Sequence, residues 1–157
     1  MSVLAIDPGT TQSGWCLYEN GKVLDGGIEE NGAMLLMLHK WLSSDDDLAI
    51  EMIASYGMAV GKEVFETCVW IGRFWQVWPG VSVTRIYRKD VKLHLCGTLK
   101  AKDTNIRQAL IDKIGPQGTK NAPGPTYGMK SHVWPALAVA VTFDETVRKG
   151  SIEEVAA

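Results

Sequence analysis

Val3 to Ile6 is an apolar run that stops at Asp7, and Pro8 with Gly9 forces a turn directly behind it. Four such residues suit one buried strand, and Gly14 to Tyr18 resumes the extended pattern. Residues 2–18 therefore read as a hairpin with a carboxylate at its mouth. A charge at the end of a buried strand is costly unless it is solvated, paired or bound to a cation. Two readings of Asp7 stand open here: a turn-initiating residue capping a hairpin, or half of a working carboxylate pair. A second apolar run ending in an acid, Leu48-Ala49-Ile50-Glu51, supplies the other half.

A chain of 157 residues suits one domain, 1–157, large enough to bury a core. With 46% hydrophobic and 22% charged residues it has the make-up of an ordinary globular protein. No apolar run approaches the roughly 18 residues of a membrane span, and no signal peptide opens the chain, so a cytoplasmic setting is expected. Cys16, Cys68 and Cys96 are widely spaced and form no Cys-x-x-Cys pair, which suggests reduced thiols rather than a zinc site or disulfides. The net charge of −2 hides an asymmetry. Residues 1–84 carry 4 basic and 11 acidic side chains, whereas 85–130 carry 10 and 3. That distribution sets an acidic, cation-seeking site beside a basic surface, or else describes a solvated basic face.

Along the chain, the Asn20–Gly21 turn leads into a third strand over Lys22 to Ile28. Ala33 to Leu42 has helical spacing, Asp45 to Asp47 reads as a solvated loop, and Leu48 to Met52 is a fourth strand. Val60 to Trp78 is the longest helical segment, stopped by Pro79–Gly80. Its second half is apolar nearly all round, which calls for cover on more than one side, by the core or by a partner subunit. Val81 to Tyr87 reads as a fifth strand. Arg88 to Leu95 is a short basic helix ended by Gly97. Thr104 to Ile114 is an amphipathic helix with Asp103 or Thr104 as N-cap. Residues 117–127 read as a flexible loop. Val133 to Val147 is a final helix with Pro135 in its first turn, where no backbone donor is needed. The layout is α/β, and parallel pairing of strands one and four through the 33–42 helix brings Asp7 and Glu51 together. Paired carboxylates either raise one pKa or recruit a hard cation such as Mg²⁺ or Mn²⁺. His132, at the start of the last helix, is a candidate third ligand or a plain capping histidine. Asp144 and Glu145 lie roughly 18 Å further along that helix, too far to share the ion.

Three stretches together carry a family resemblance: Ile6-Asp7-Pro8-Gly9-Thr10 with Gly14, then Ala49-Ile50-Glu51, then His132 through Pro135 to Ala140. Val91–Lys92 to Gly97 and Lys102–Asp103 to Leu110 add to it. In order and spacing they resemble the RuvC-type Holliday-junction resolvases of the RNase H-like superfamily, over about residues 2–145, with the flavour of the phage-encoded branch. The resemblance implies an RNase H-like fold with a central five-stranded mixed sheet flanked by helices. It implies a homodimer, here through the 60–78 helix, that uses Mg²⁺ or Mn²⁺ to cut four-way or otherwise branched DNA, in the host cytoplasm if phage-encoded. The family's first-strand Asp falls on Asp7 and its fourth-strand Glu on Glu51. Its last helix normally supplies two acids three residues apart, and here those positions hold His132 and Pro135. An imidazole can bind metal through a neutral ring nitrogen and leans towards Mn²⁺. Pro135 cannot bind metal, so a second ion is less well provided for.

Lys100, Lys102 and Arg107 are best placed to hold phosphates, with Lys89, Lys92, Lys113, Lys120 and Lys130 as a wider track. Tyr56 sits where the family places an aromatic that stacks on an unpaired base, or else packs on its own loop. Asp7 to Thr11 also resembles the phosphate loop of the actin, Hsp70 and sugar-kinase superfamily, whose ATP cleft needs two such domains. A further alternative keeps the fold as a branched-DNA binder with a weakened metal site, and another acts on RNA ends or single strands.

Overall fold

The computed structural model describes residues 1–80 and 82–150. Val81, the expected start of the fifth strand, and residues 151–157 of the expected domain lie outside the described residues. Five strands, β1 (Val3–Asp7), β2 (Gln12–Glu19), β3 (Lys22–Glu30), β4 (Asp47–Met52) and β5 (Val83–Tyr87), form one sheet in the order β3-β2-β1-β4-β5. The first three are antiparallel neighbours, while β1–β4 and β4–β5 are parallel. The helices are α1 (Asn31–His39), α2 (Lys62–Val77), α3 (Arg88–Cys96), α4 (Asp103–Ile114) and α5 (Val133–Thr142), with a π-helical turn over Phe143–Arg148.

Alternation along the strands divides the core. Leu4, Ile6, Leu48 and Ile50 meet Met34 and Leu38 of α1 and Ile71 and Phe74 of α2 on one face. Val3, Ala5 and Ala49 point the other way, towards α5. Every residue from Ala136 to Val141 is fully buried, because α5 lies between the sheet and the α3–α4 pair. A helix apolar all round belongs in such a middle layer. Its alanines, facing Ala5 and Ala49, allow close approach to the sheet. By the same alternation Asp7 and Glu51 fall on the α5 face.

Several expected boundaries move. The first helix starts at Asn31, not Ala33, and ends at His39, since the Asn31 side chain is drawn into the core and Leu42 is wholly exposed. Lys102, not Asp103 or Thr104, is the N-cap of α4, where Asn105 Oδ1 accepts a hydrogen bond from the Lys102 amide at 2.8 Å. The last helix is not one regular α-helix to Val147. Thr142 and Thr146 hydroxyls donate to the carbonyls of Ala138 and Thr142, and the backbone widens into the π turn. Arg148 thereby reaches Asp47 at 2.6 Å, Asp144 at 2.9 Å and the carbonyl of Ser2 at 3.1 Å.

Two expected loops are also better bonded than their composition suggests. Asp46 accepts hydrogen bonds from the Ser2 amide and the Trp41 indole, both at 3.0 Å, so the aspartate triplet is not simply solvated. The 117–127 segment is cross-braced rather than loose. Gly118 bridges to Pro123, the Gly124 amide donates to Gln117, and the buried Thr126 hydroxyl donates to the Gly115 carbonyl at 2.9 Å.

Candidate metal centre and nucleic-acid interface

The strand register assembles the site. Ile6 is level with Ile50 in the parallel β1–β4 pair, so the next residues along, Asp7 and Glu51, emerge side by side at the same sheet edge. Asp7 is held at its turn by a buried polar lock. The Gly9 amide donates to Ser13 Oγ at 3.2 Å, the Ser13 hydroxyl donates to Asn31 Oδ1 at 2.6 Å, and the Asn31 amide donates back to the Gly9 carbonyl at 2.9 Å. Gly14, opposite Asp7 on β2, admits the start of α5. A Cβ there would stand 2.1 Å from the His132 carbonyl oxygen. Only glycine permits that approach, and it brings His132 Nδ1 to 3.3 Å from Asp7 Oδ2.

The electrostatics follow from burial. Loss of solvent raises the Asp7 pKa, and the His132 ring opposes that rise. Glu51 is pushed up to about 7, first by burial and then by the neighbouring Asp7 charge, against the pull of the Arg88 guanidinium. Arg88 Nη1 lies 3.5 Å from Glu51 Oε1, and Arg88 also pairs with Asp103. Glu51 Oε2 is buried and meets no hydrogen-bond donor. Among the described residues no three His, Cys, Asp or Glu side chains form a ready ligand cage. Asp7 approaches His132, Glu51 approaches Arg88, and the two carboxyls also act on each other. In donor chemistry the set still fits a hard divalent ion: two carboxylates, one of them with an unpartnered buried oxygen, and an imidazole within reach.

The expected nucleic-acid residues fall into separate groups. Tyr56, Lys89 and Lys92 line one depression of about 290 Å³ with Arg88 and Leu99. Tyr56 has a positive φ of 49° and is 57% exposed on the loop after β4. Lys100 and Lys102 are exposed on the segment joining α3 to α4, and Lys120 and Lys130 on the braced loop before α5. Arg107 lies over the Trp134 ring at 5.0 Å. Lys113 sits at the far end of α4, held by Glu145 at 3.0 Å, which also meets His94. Sequence reasoning missed Arg88 as a site residue. No pattern in the sequence marks it: β5 runs parallel to β4 with Ile86 level with Glu51, and Arg88, two residues on, reaches back to that carboxyl through its side chain. The Ser13–Asn31 lock carried no signal either.

A five-stranded mixed sheet in this order, flanked by helices, is the RNase H-like fold. Within that fold, the arrangement is similar to that of solved RuvC structures. The solved structure of Thermus thermophilus RuvC superposes with a TM-score of 0.70 at 22% identity, covering 96% of this chain and 97% of that one. T. thermophilus RuvC in complex with a Holliday junction substrate matches with a TM-score of 0.67 at 21% identity, covering 96% of each chain. No protein-family model and no curated protein matches the sequence. Among the described residues no helix is long and apolar enough to cross a membrane.

Proposed function

We propose that this chain is a divalent-metal-dependent endonuclease acting on branched DNA, four-way junctions above all. What supports the reading is the Asp7 carboxylate, 3.3 Å from His132 and beside Glu51 at the ends of paired strands, with a buried Glu51 oxygen that no protein donor satisfies. Asp7, Glu51 and His132 would hold the ion. When bound, Mg²⁺ or Mn²⁺ supplies an activated water and neutralises charge at phosphorus. The protein's own part is positional. Asp7 is fixed by its turn, Glu51 by the sheet, and His132 by the packing of α5 over Gly14. Lys89, Lys92, Lys100 and Lys102 hold the backbone along the α3–α4 side, and Tyr56 offers a ring on which an unpaired base stacks, worth about 1–3 kcal/mol.

A second copy is the fitting cover for α2. That helix buries Thr67, Ile71 and Phe74 but leaves Phe65, Val69 and Trp75 exposed, which supports the homodimer reading. Symmetric pairing would present two centres to two of the four strands of a junction.

The test is cutting of a synthetic four-way junction by the purified protein in Mn²⁺. Asp7→Asn or Glu51→Gln is expected to abolish cutting and leave junction binding intact. Pro135 and the approach of His132 and Arg88 to the two acids favour one second reading, a branched-DNA binder without cleavage. Junction binding with no product in either Mg²⁺ or Mn²⁺ would decide for it.

A further inference from the structure

Arg88 stands at a point that neither the acid pair nor the lysine track accounts for. It is the first residue after β5, its side chain is 26% exposed, and it separates two depressions. One is the cavity it shares with Tyr56, Lys89 and Lys92. The other, of about 190 Å³, is walled by Arg88 and Arg107, carries the hydroxyls of Thr104 and Ser131, and has Trp134 and Pro135 in its lining. Arg107 is held in position by the Trp134 ring at 5.0 Å and by a hydrogen bond to Gln117 Oε1 at 3.1 Å. Ser131 adjoins His132, so this second cavity lies beside the metal centre.

We propose that the smaller cavity is a seat for one backbone phosphate of the bound strand, gripped between Arg88 and Arg107. The inference rests on the DNA reading given above and names a contact within it. Two guanidinium groups lining one small space repel each other unless an anion lies between them. Asp103 is the acid that lines it, and its side chain is 84% exposed. Pairing with so exposed a carboxylate is screened by water and easily exchanged. A phosphodiester offers two oxygens to the planar guanidinium forks, a better match than a single carboxylate oxygen. Trp134 and Pro135 supply an apolar surface for the adjoining sugar. Glu51 keeps Arg88 beside the centre while Asp103 holds it until a strand arrives. Arg88 is thus a positioning residue: it sets the register of the strand over Asp7 and Glu51 and takes no part in bond making.

The experiment measures fluorescence anisotropy of a labelled four-way junction with the full chain in EDTA, from 50 to 200 mM NaCl. R88Q and R107Q are each expected to weaken binding about tenfold and to reduce the slope of log affinity against log salt by about one. R88K should keep the slope, and D103N should bind as tightly as the parent or a few fold tighter. A parent-like slope in R88Q overturns the phosphate seat. So does a D103N loss that matches R88Q, because Arg88–Asp103 is then only a brace between α3 and α4. A parent chain that binds no junction overturns the DNA reading and this inference with it. Binding by the parent with an unchanged slope in R88Q and R107Q overturns this inference alone. If R88Q fails to fold, R107Q, exposed on α4, carries the same test.

Discussion

Glu51 is the residue whose surroundings have the sharpest measurable consequence. Burial and the neighbouring Asp7 charge push its carboxyl up from the usual 4.5 to about 7. Between those values the folded chain binds more protons than the unfolded one. The contribution is therefore fully present below the unfolded value and lost as pH rises through 7. Asp7, also raised, acts in the same direction. In EDTA the stability read from urea denaturation is expected to fall as pH rises from 5 to 8, and Glu51→Gln should flatten that fall. On the proposed metal site, Mn²⁺ should stabilise more at pH 8 than at pH 5.5 in a thermal-shift assay, because carboxylates must be deprotonated to bind a cation. Gly14 gives a second residue-scale outcome. A methyl group 2.1 Å from the His132 carbonyl oxygen forces α5 away from β2. Gly14→Ala should cost about 1–3 kcal/mol in urea denaturation and weaken Mn²⁺ binding measured by calorimetry. Asp7 and Glu51 were legible as apolar runs ending in acids. The need for glycine at position 14 was not, because its neighbour in space is 118 residues away along the chain.

Among the elements, the π turn after α5 and the outer face of α2 make separate claims. Arg148, whose side chain is 14% exposed, ties Asp47, Asp144 and the Ser2 carbonyl together. Arg148→Ala leaves those acceptors unmatched and should cost about 2–4 kcal/mol in urea denaturation, with little change in junction affinity. On α2, Val69 is 58% exposed and makes no contribution to the buried side of the helix. If α2 pairs two copies as proposed, the parent should sediment as a dimer and Val69→Asp as a monomer, with the monomer's own urea stability unchanged. The helical periods of α1 to α4 were readable. The widening of the last helix was not, since it depends on Thr142 and Thr146 competing for carbonyls in a fully buried layer.

For the whole molecule the separation of charge matters more than its sum. The basic excess of residues 85–130 falls on α3, α4 and the braced loop, around the edge where the acids of β1 and β4 emerge. Junction affinity should therefore fall steeply with salt. The lysines are not equivalent. Lys113 is occupied by Glu145 at the far end of α4, so Lys113→Ala should leave junction affinity within about twofold. Lys89→Ala and Lys92→Ala, beside Tyr56, should each weaken it and lower the salt slope by about one in the same anisotropy assay.

The sequence alone determined the alternation of strands and helices, the two acids that end β1 and β4, and the wholly apolar helix that must lie in the middle. These are local facts, written in hydrophobic period and turn chemistry. Only the tertiary structure decided that Arg88 stands against Glu51, that Lys113 is turned away, and that the loop before α5 is braced. Each depends on which distant groups share a space, and a one-dimensional pattern of residues does not encode the distances over which charges pair and hydrogen bonds close.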